Sequence, residues 1–247
     1  MKKNISHTEK HILKKNDLYE VFMKRIILPI FLLLLSFFCS RQGYHMVTTL
    51  MKPADPVTVV IDAGHGGNDP GKVGIGNLLE KDINLQIAQY LKQYLTVNDV
   101  RVIMTREIDE GLSTSTTNSK ASDLSNRKEI IFQNNPVATV SIHQNSFPAQ
   151  SAHGAQVFYG QNMKKSKKLA EILQKRLLEM DPSNHRVPKA NSDYYLFRDN
   201  PYTAVIVECG FLSNPEEASW LKDTDYQKKI AWMLHLGIIE YIQTAAD

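Results

Sequence analysis

Three short apolar stretches of the chain each end close to a side chain that can bind a metal ion or move a proton. If these stretches are parallel strands of one sheet, their carboxyl ends meet at one edge, and the three side chains gather there. Glu80, at the start of a predicted helix just beyond the first of them, can reach the same place. The stretches and the residues that follow them are Val57–Ile61 before His65, Ala138–Ile142 before His143, and Ala204–Val207 before Glu208.

This set of side chains predicts metal-dependent hydrolysis. Two imidazoles and one carboxylate form a known ligand set for catalytic zinc, which leaves the fourth position for water. A second carboxylate outside the ligand set can then act as the general base. The glycines on both sides of His65 let the backbone bend sharply and keep the imidazole approachable from solvent.

Each of these residues also has a plainer explanation. Residues 64–67, Gly-His-Gly-Gly, can be only a tight turn or a phosphate cradle, and His143 can be a hydrogen-bonded core histidine. Glu80 would complement the dipole at a helix start. Glu208 can be a buried acid paired with Arg106, Arg127 or Arg198. For the plainer interpretation, however, all of these explanations would have to be true at the same time. An unpaired buried carboxylate also costs several kcal/mol, so the functional interpretation is favoured.

Strands and helices alternate along the chain. This order predicts an α/β fold, a three-layer sandwich with a mostly parallel twisted sheet flanked by helices. Helices are predicted over about Glu80–Leu95, from Asp123 or Ser125 to Gln133, over Lys164–Met180, from Asn214-Pro215 onward, and over Asp225–Gln243; strands over Val57–Ile61, Val100–Thr105, Ala138–Ile142, Gly154–Tyr159, Tyr194–Phe197 and Ala204–Val207.

Charge and cysteine content restrict the function further. The net charge of +3 over 247 residues is mild, and the domain has no recognition helix or basic run, so nucleic acid is not an expected partner. Cys39 and Cys209 lie in unlike settings, which argues against a disulfide between them. Because strand side chains alternate, Cys209 should face away from Glu208 and serve as a small core residue.

The N-terminus has the pattern of a targeting segment. A basic stretch precedes the apolar run Ile26–Cys39, so residues 1–40 are predicted to be a signal peptide or a signal anchor. Residues 41–55 are a predicted linker, and residues 56–247 the catalytic domain. The protein is therefore expected to be exported and extracytoplasmic, with membrane contact only through its N-terminal segment; cleavage and retention as an anchor both stay open.

Four ordered motifs closely resemble the zinc-dependent N-acetylmuramoyl-L-alanine amidases, the type 3 amidase family. The resemblance covers about Val57 to Ile242 and implies that His65, Glu80 and His143 are the Zn²⁺ ligands and Glu208 the catalytic glutamate. Asn145 and Arg198 are candidate substrate contacts. Two departures from the family pattern, Gln144 and Cys209, are not expected to touch the chemistry. The motifs are residues 59–67 (Val-Val-Ile-Asp-Ala-Gly-His-Gly-Gly), 78–82 (Leu-Leu-Glu-Lys-Asp), 141–146 (Ser-Ile-His-Gln-Asn-Ser) and 205–214 (Val-Ile-Val-Glu-Cys-Gly-Phe-Leu-Ser-Asn).

The resemblance implies hydrolysis of the amide bond between the lactyl group of N-acetylmuramic acid and L-alanine in peptidoglycan. Within the family, the chain is most similar to the germination-specific amidases, which take part in forming muramic-δ-lactam in the spore cortex. The alternatives are a non-catalytic peptidoglycan-binding or scaffold protein that retains the pocket, and a phosphate-handling hydrolase, which Glu80 opposes. Some relatives carry a helical plug in the active site, but Glu107–Ser122 lacks an amphipathic stripe. We therefore expect regulation by timing, location, substrate form or an accessory protein.

Overall fold

The computed structural model describes residues 22, 25, 27–50, 56–115 and 119–245. The chain divides into two units, Met1–Asp55 and Pro56–Asp247. In the first unit, helix α1 spans Leu28–Leu50 and so continues into the segment predicted as a linker. No helix within the described ranges has the length and hydropathy that a membrane span requires. The targeting role of residues 1–40 stays a prediction.

The second unit contains a six-stranded, mostly parallel sheet, as the sequence predicts. Its strand order is β2-β1-β3-β6-β4-β5, and within it only the pair of β4 and β6 is antiparallel. The strands are β1 Thr58–Ala63, β2 Arg101–Met104, β3 Ala138–Asn145, β4 Gln156–Gly160, β5 Lys189–Asn191 and β6 Ala204–Phe211, and the helices are α2 Glu80–Thr96, α3 Ser119–Asn134, α4 Lys164–Met180, α5 Pro215–Lys222 and α6 Thr224–Ala245.

The two faces of the sheet are covered unequally. Alternate side chains of β1, β3 and β6 enter a large apolar core that also contains residues of α2, α4 and α6. The opposite face carries a smaller cluster built from Ile131 of α3 and from Leu196 and Phe197. Val60 and Ile206 belong to this smaller cluster, so the polar residues two positions further along β1 and β6 emerge on the thinly covered face. That face has room for a site.

Two sequence-based element predictions are wrong. Tyr194–Phe197 is not a strand, because Tyr195–Phe197 form a 3₁₀ turn that buries Leu196 and Phe197 in the same cluster, whereas a strand would turn them to opposite faces. The edge strand of the sheet is instead β5, Lys189–Asn191, which the sequence pattern does not predict because this short strand is largely exposed. Helix α3 begins at Ser119, four residues before the earlier of its two predicted starts.

Arg127 ties α3 to the end of β1. Its Nη1 donates to Asp62 Oδ1 at 2.7 Å and to the Ala63 carbonyl at 2.8 Å, and its Nη2 donates to the His65 carbonyl at 2.6 Å. Both charged groups are buried, with side-chain exposures of 4% for Arg127 and 5% for Asp62. Although burial raises the pKa of Asp62, the Arg127 charge and the hydrogen bond from Ser141 outweigh it and lower this pKa to about 2. Since this value lies below the ordinary 3.8, the carboxylate stabilises the fold above about pH 4, and its contribution is lost as the pH falls toward 2.

Arg127→Met should lower the free energy of unfolding by about 3–5 kcal/mol, because it leaves the buried carboxylate of Asp62 without its counter-ion. Arg176→Met is the matched control. Arg176 is paired with Glu179 and Glu240 at the surface, so its loss should cost less than about 1 kcal/mol. Urea denaturation of both variants at pH 7 measures the difference. Equal losses in the two variants would contradict the role given to Arg127.

Candidate active site and metal centre

His65, Glu80 and His143 converge at the carboxyl ends of β1 and β3. One ligand atom from each lies within 4.8 Å of the other two, and this is the group of potential metal ligands among the described residues. His65 Nε2 is 3.2 Å and His143 Nδ1 is 3.0 Å from Glu80 Oε1. The two imidazole rings are nearly perpendicular, with centroids 5.1 Å apart. The meeting of separate segments that the sequence predicts is therefore observed, while the roles of the three residues as ligands stay a prediction.

The His65 loop is held from several sides. His65 adopts a positive φ of 62°, which is uncommon for a residue with a side chain and is found where surrounding contacts fix a functional site. Its Nδ1 is 2.8 Å from Asp69 Oδ2, so the other ring nitrogen, Nε2, is directed at Glu80. A carboxylate on the outer nitrogen of a histidine is the usual support of a metal-ligating imidazole.

The start of α2 is fixed to the same loop. The amides of Glu80 and Lys81 donate to the carbonyls of Lys72 and Pro70 at 3.0 and 3.1 Å, which satisfies the first orphan N–H groups of the helix without a side-chain cap. The Glu80 side chain is 2% exposed and turns inward. Its Oε2 accepts from the Lys72 amide at 2.8 Å. Helix and loop therefore position Glu80 together.

The charges of the cluster favour a cation between its members. Burial raises the pKa of Glu80, but hydrogen bonds and charges from His143 and His65 outweigh it and hold this pKa far below the ordinary range. For His65 burial has the opposite effect and lowers the pKa, but the hydrogen bonds and charges of Glu80 and Asp69 outweigh burial, so the pKa of His65 is raised. A bound cation would supply the positive charge that these shifts favour. The donor set and its electrostatics thus fit a metal ion.

Glu208 stands next to His143 as its register partner on the neighbouring strand β6. It is 8% exposed and pairs with none of the three arginines considered for it: Arg106 and Arg127 are committed to the loop around the end of β1, and Arg198 donates to the Asp193 carbonyl. Its Oε1 accepts a long bond, 3.4 Å, from the Tyr194 hydroxyl, and its buried Oε2 has no hydrogen-bond partner among the described residues. Burial raises the pKa of Glu208, and the Glu80 carboxylate adds to that rise against the opposing effect of His143. Such a carboxylate suits proton transfer.

A cavity of about 690 Å³ opens beside these groups, within the size range of ligand sites. Asn145 and Arg198, the candidate substrate contacts, both line it, and Arg198 is exposed on its rim. Lys120 and Lys128 of α3 line the same wall. Within the described ranges, no carboxylate lies within ion-pair distance of Lys120, Lys128 or Arg198; Lys128 Nζ donates to the Arg198 carbonyl, and the Lys120 charge helps to lower the pKa of Asp69.

Gln144 was expected not to touch the chemistry, but it contacts the cluster directly. Its backbone amide donates to Glu80 Oε1 at 3.1 Å, and its side chain donates to Asn84, one helical turn after Glu80. Cys209 behaves as expected: it is a free thiol in the large core, on the opposite face from Glu208.

Asp69, Asn84 and Tyr194 also contact the cluster or Glu208, although the sequence motifs do not single them out. Asp69 could have been found from its place four residues after His65 in the same glycine-rich loop, and Asn84 from its i, i+4 spacing to Glu80. Tyr194 carried no such signal, since it lay in a segment predicted to be a strand.

The segment Glu107–Ser122, predicted to be unable to form a plug, is described at residues 107–115, which form no helix, and at residues 119–122, which begin α3. It supports the His65 loop instead. Asp109 accepts from the Gly67 amide at 2.8 Å and from Lys81 Nζ at 2.6 Å. The Leu112 amide donates to Asp123 Oδ1 at 2.7 Å, which fastens the segment to α3.

The two imidazoles and the buried carboxylate could hold a metal ion, and the second carboxylate beside them could move a proton, which together would suit hydrolysis. Comparison with known proteins makes this specific, because residues 59–240 match the N-acetylmuramoyl-L-alanine amidase family Amidase_3. The chain therefore belongs to that family of cell-wall amidases, and it is an enzyme of that class.

The relatives agree with this assignment. The germination-specific N-acetylmuramoyl-L-alanine amidase of Bacillus subtilis is 36% identical over 199 residues, which cover 79% of this chain and 84% of that protein. The CwlD amidase from Clostridioides difficile, solved in complex with the GerS lipoprotein, is 40% identical with a TM-score of 0.74 and covers 76% of this chain and 99% of that chain. AmiC2 of Nostoc punctiforme is 30% identical with a TM-score of 0.67, covering 76% and 97%. The predicted resemblance to germination-specific amidases is confirmed.

Gly71→Ala should abolish metal binding without unfolding the domain. Gly71 has a φ of +67°, and a Cβ there would lie 2.6 Å from Glu80 Oε2 and 2.7 Å from His65 Cδ2, so both groups would have to move. Gly76→Ala is the control, because Gly76 has a φ of +72° but open space around it, which gives the same backbone strain without the collision. Metal content after dialysis, with circular dichroism to check folding, measures the effect. Full metal retention in Gly71→Ala would contradict the proposed centre.

Proposed function

We propose that the domain is a zinc-dependent amidase that hydrolyses the bond between the lactyl carbonyl of N-acetylmuramic acid and the L-alanine of the stem peptide. The observation that carries this proposal is the unpaired, buried Glu208 beside the cluster of His65, Glu80 and His143. A binding protein would need the groove but would have no use for a second carboxylate left without a counter-ion.

Zinc is the metal that we propose for the cluster. Imidazole nitrogens are borderline-soft ligands that suit zinc better than magnesium or calcium, which prefer oxygen. His65, Glu80 and His143 would hold the ion, with Asp69 supporting His65 through its outer nitrogen. Bound zinc would supply Lewis-acid polarisation of the scissile carbonyl and of water.

Glu208 is the proposed proton carrier. Its unpartnered Oε2 can accept a proton from the attacking water, and the raised pKa of the buried carboxyl lets the same group deliver that proton to the leaving nitrogen of L-alanine. Tyr194, whose hydroxyl donates to Oε1, would hold the carboxylate in place from the other oxygen.

Spore cortex peptidoglycan is the proposed substrate, and the similarity to the germination-specific amidase of Bacillus subtilis supports this choice. Stem peptides carry carboxylates, and the cationic wall formed by Lys120, Lys128 and Arg198 suits such groups. We propose that Arg198 and Asn145 contact the substrate at this wall.

We further propose that the enzyme works outside the cytoplasm, exported by its basic and apolar N-terminal segment as a secreted or membrane-anchored protein. An accessory protein is a proposed partner. Support for it comes from the Clostridioides difficile CwlD amidase, which was solved in complex with the GerS lipoprotein.

The test of the activity is digestion of purified peptidoglycan by the zinc-loaded protein. We expect released stem peptides with a free N-terminal L-alanine and intact glycan strands, identified by mass spectrometry. Glu208→Gln should keep zinc and fold but lose about 10²- to 10⁴-fold in turnover, because the isosteric amide cannot accept the proton. His143→Ala should lose zinc and activity together. Unchanged turnover in Glu208→Gln would demote Glu208 to a structural acid.

Shortening residues 113–118 to two glycines tests for an internal inhibitory segment. The change keeps Asp109, Leu112 and Lys120, which contact the His65 loop, α3 and the cavity. We expect unchanged basal activity of the purified domain on peptidoglycan, because the described residues 113–115 form no helix over the site. A many-fold rise would mean that the segment is inhibitory.

A further inference from the structure

Two buried amide side chains, Asn84 and Gln144, lie beside Glu80. Asn84 is fully buried, and Gln144 is 2% exposed. Gln144 Nε2 donates to Asn84 Oδ1 at 3.1 Å, which joins strand β3 to helix α2. We propose that this amide pair is a positioning device that fixes the carboxylate of Glu80 and thereby sets the affinity of the site for its metal. The inference rests on the proposed role of Glu80 as a ligand.

The pair reaches Glu80 from two directions. Asn84 follows Glu80 by one helical turn, and its Nδ2 lies 3.5 Å from Glu80 Oε1. From the strand side, the backbone amide of Gln144 donates to the same oxygen at 3.1 Å. A shift of β3 relative to α2 would therefore move Glu80 relative to His143, the residue before Gln144. The side-chain bond between Gln144 and Asn84 opposes that shift.

The orientation of the two amides is fixed by the loop. Asn84 Nδ2 donates to the Gly64 carbonyl at 3.1 Å, so its Oδ1 must face Gln144 and needs a donor there. Gln144 supplies that donor through its side-chain amide. The side-chain NH₂ group of Gln144 is thus committed to Asn84.

Stability alone does not explain the pair. Two buried partners replaced together by apolar groups of the same shape are nearly neutral for folding, so leucine and methionine would serve the core as well. Polar groups behind a metal ligand have a different effect, because they orient the ligand, and their loss typically weakens metal binding about 10- to 100-fold. Asn84 and Gln144 both contact Glu80 Oε1, which favours this second explanation.

Gln144→Met tests the proposal, since it keeps the side-chain length but removes the donor. We expect a 10- to 100-fold larger zinc dissociation constant, measured in competition with a chromophoric chelator, and an altered visible spectrum of the Co²⁺-substituted protein. Gln174→Met is the matched control. Gln174 is also 2% exposed and bonds the Val157 amide and the Ala155 carbonyl, away from the site, so its loss should lower stability and leave the zinc dissociation constant unchanged.

The double variant Asn84→Leu with Gln144→Met separates positioning from packing and keeps the test valid if the single variant folds poorly. Arg106 Nη2 still covers the Gly64 carbonyl at 3.0 Å in this variant. We expect near wild-type stability in urea with zinc affinity still weakened. Wild-type zinc affinity and Co²⁺ spectrum in the double variant would overturn the inference, whereas absence of zinc binding by the wild-type protein would overturn the proposed function instead.

Discussion

The structure depends on how a single buried carboxylate, that of Glu80, is kept charged. A carboxylate with 2% exposure is costly unless donors surround it. Here the contacts come from several elements: the backbone amides of Lys72 in the loop and Gln144 on β3 donate to it, and the imidazole nitrogens of His65 and His143 lie 3.2 and 3.0 Å from its Oε1. The loop, the start of α2 and the end of β3 therefore have to assemble in one arrangement for the carboxylate to be tolerated. That same arrangement directs both histidines at one point.

The alternation of the strands separates stability from chemistry. Val205, Val207 and Cys209 of β6 enter the large core, while Ile206 and Glu208 face the other side of the sheet. Among the described residues, α3 and the turn around Leu196 pack on that side, and residues of both line the cavity. The main core can thus stay largely apolar while His65, Glu80, His143 and Glu208 gather at one edge.

The sequence predicted the fold and the meeting of the site residues because both follow from strong local patterns. Apolar strands that lead to His65, His143 and Glu208 bring these residues together if the strands are parallel. Helices α2 and α3 make the crossovers from β1 to β2 and from β2 to β3, and β6 pairs in parallel with β3. It predicted less well where the pattern is weak. The edge strand Lys189–Asn191 is polar, and the turn that brings Tyr194 to Glu208 has the composition of a strand. The contact of Gln144 with Asn84 links residues 60 positions apart, which no local pattern reveals.

The central claim is that His65, Glu80 and His143 hold one catalytic zinc ion. The most direct measurement is anomalous diffraction at the zinc absorption edge from crystals of active protein purified without chelators. We expect a single anomalous peak bounded by His65, Glu80 and His143, with Glu208 next to it but outside the coordination sphere. An active protein with no peak at this position, or with its zinc bound by other residues, would contradict the account.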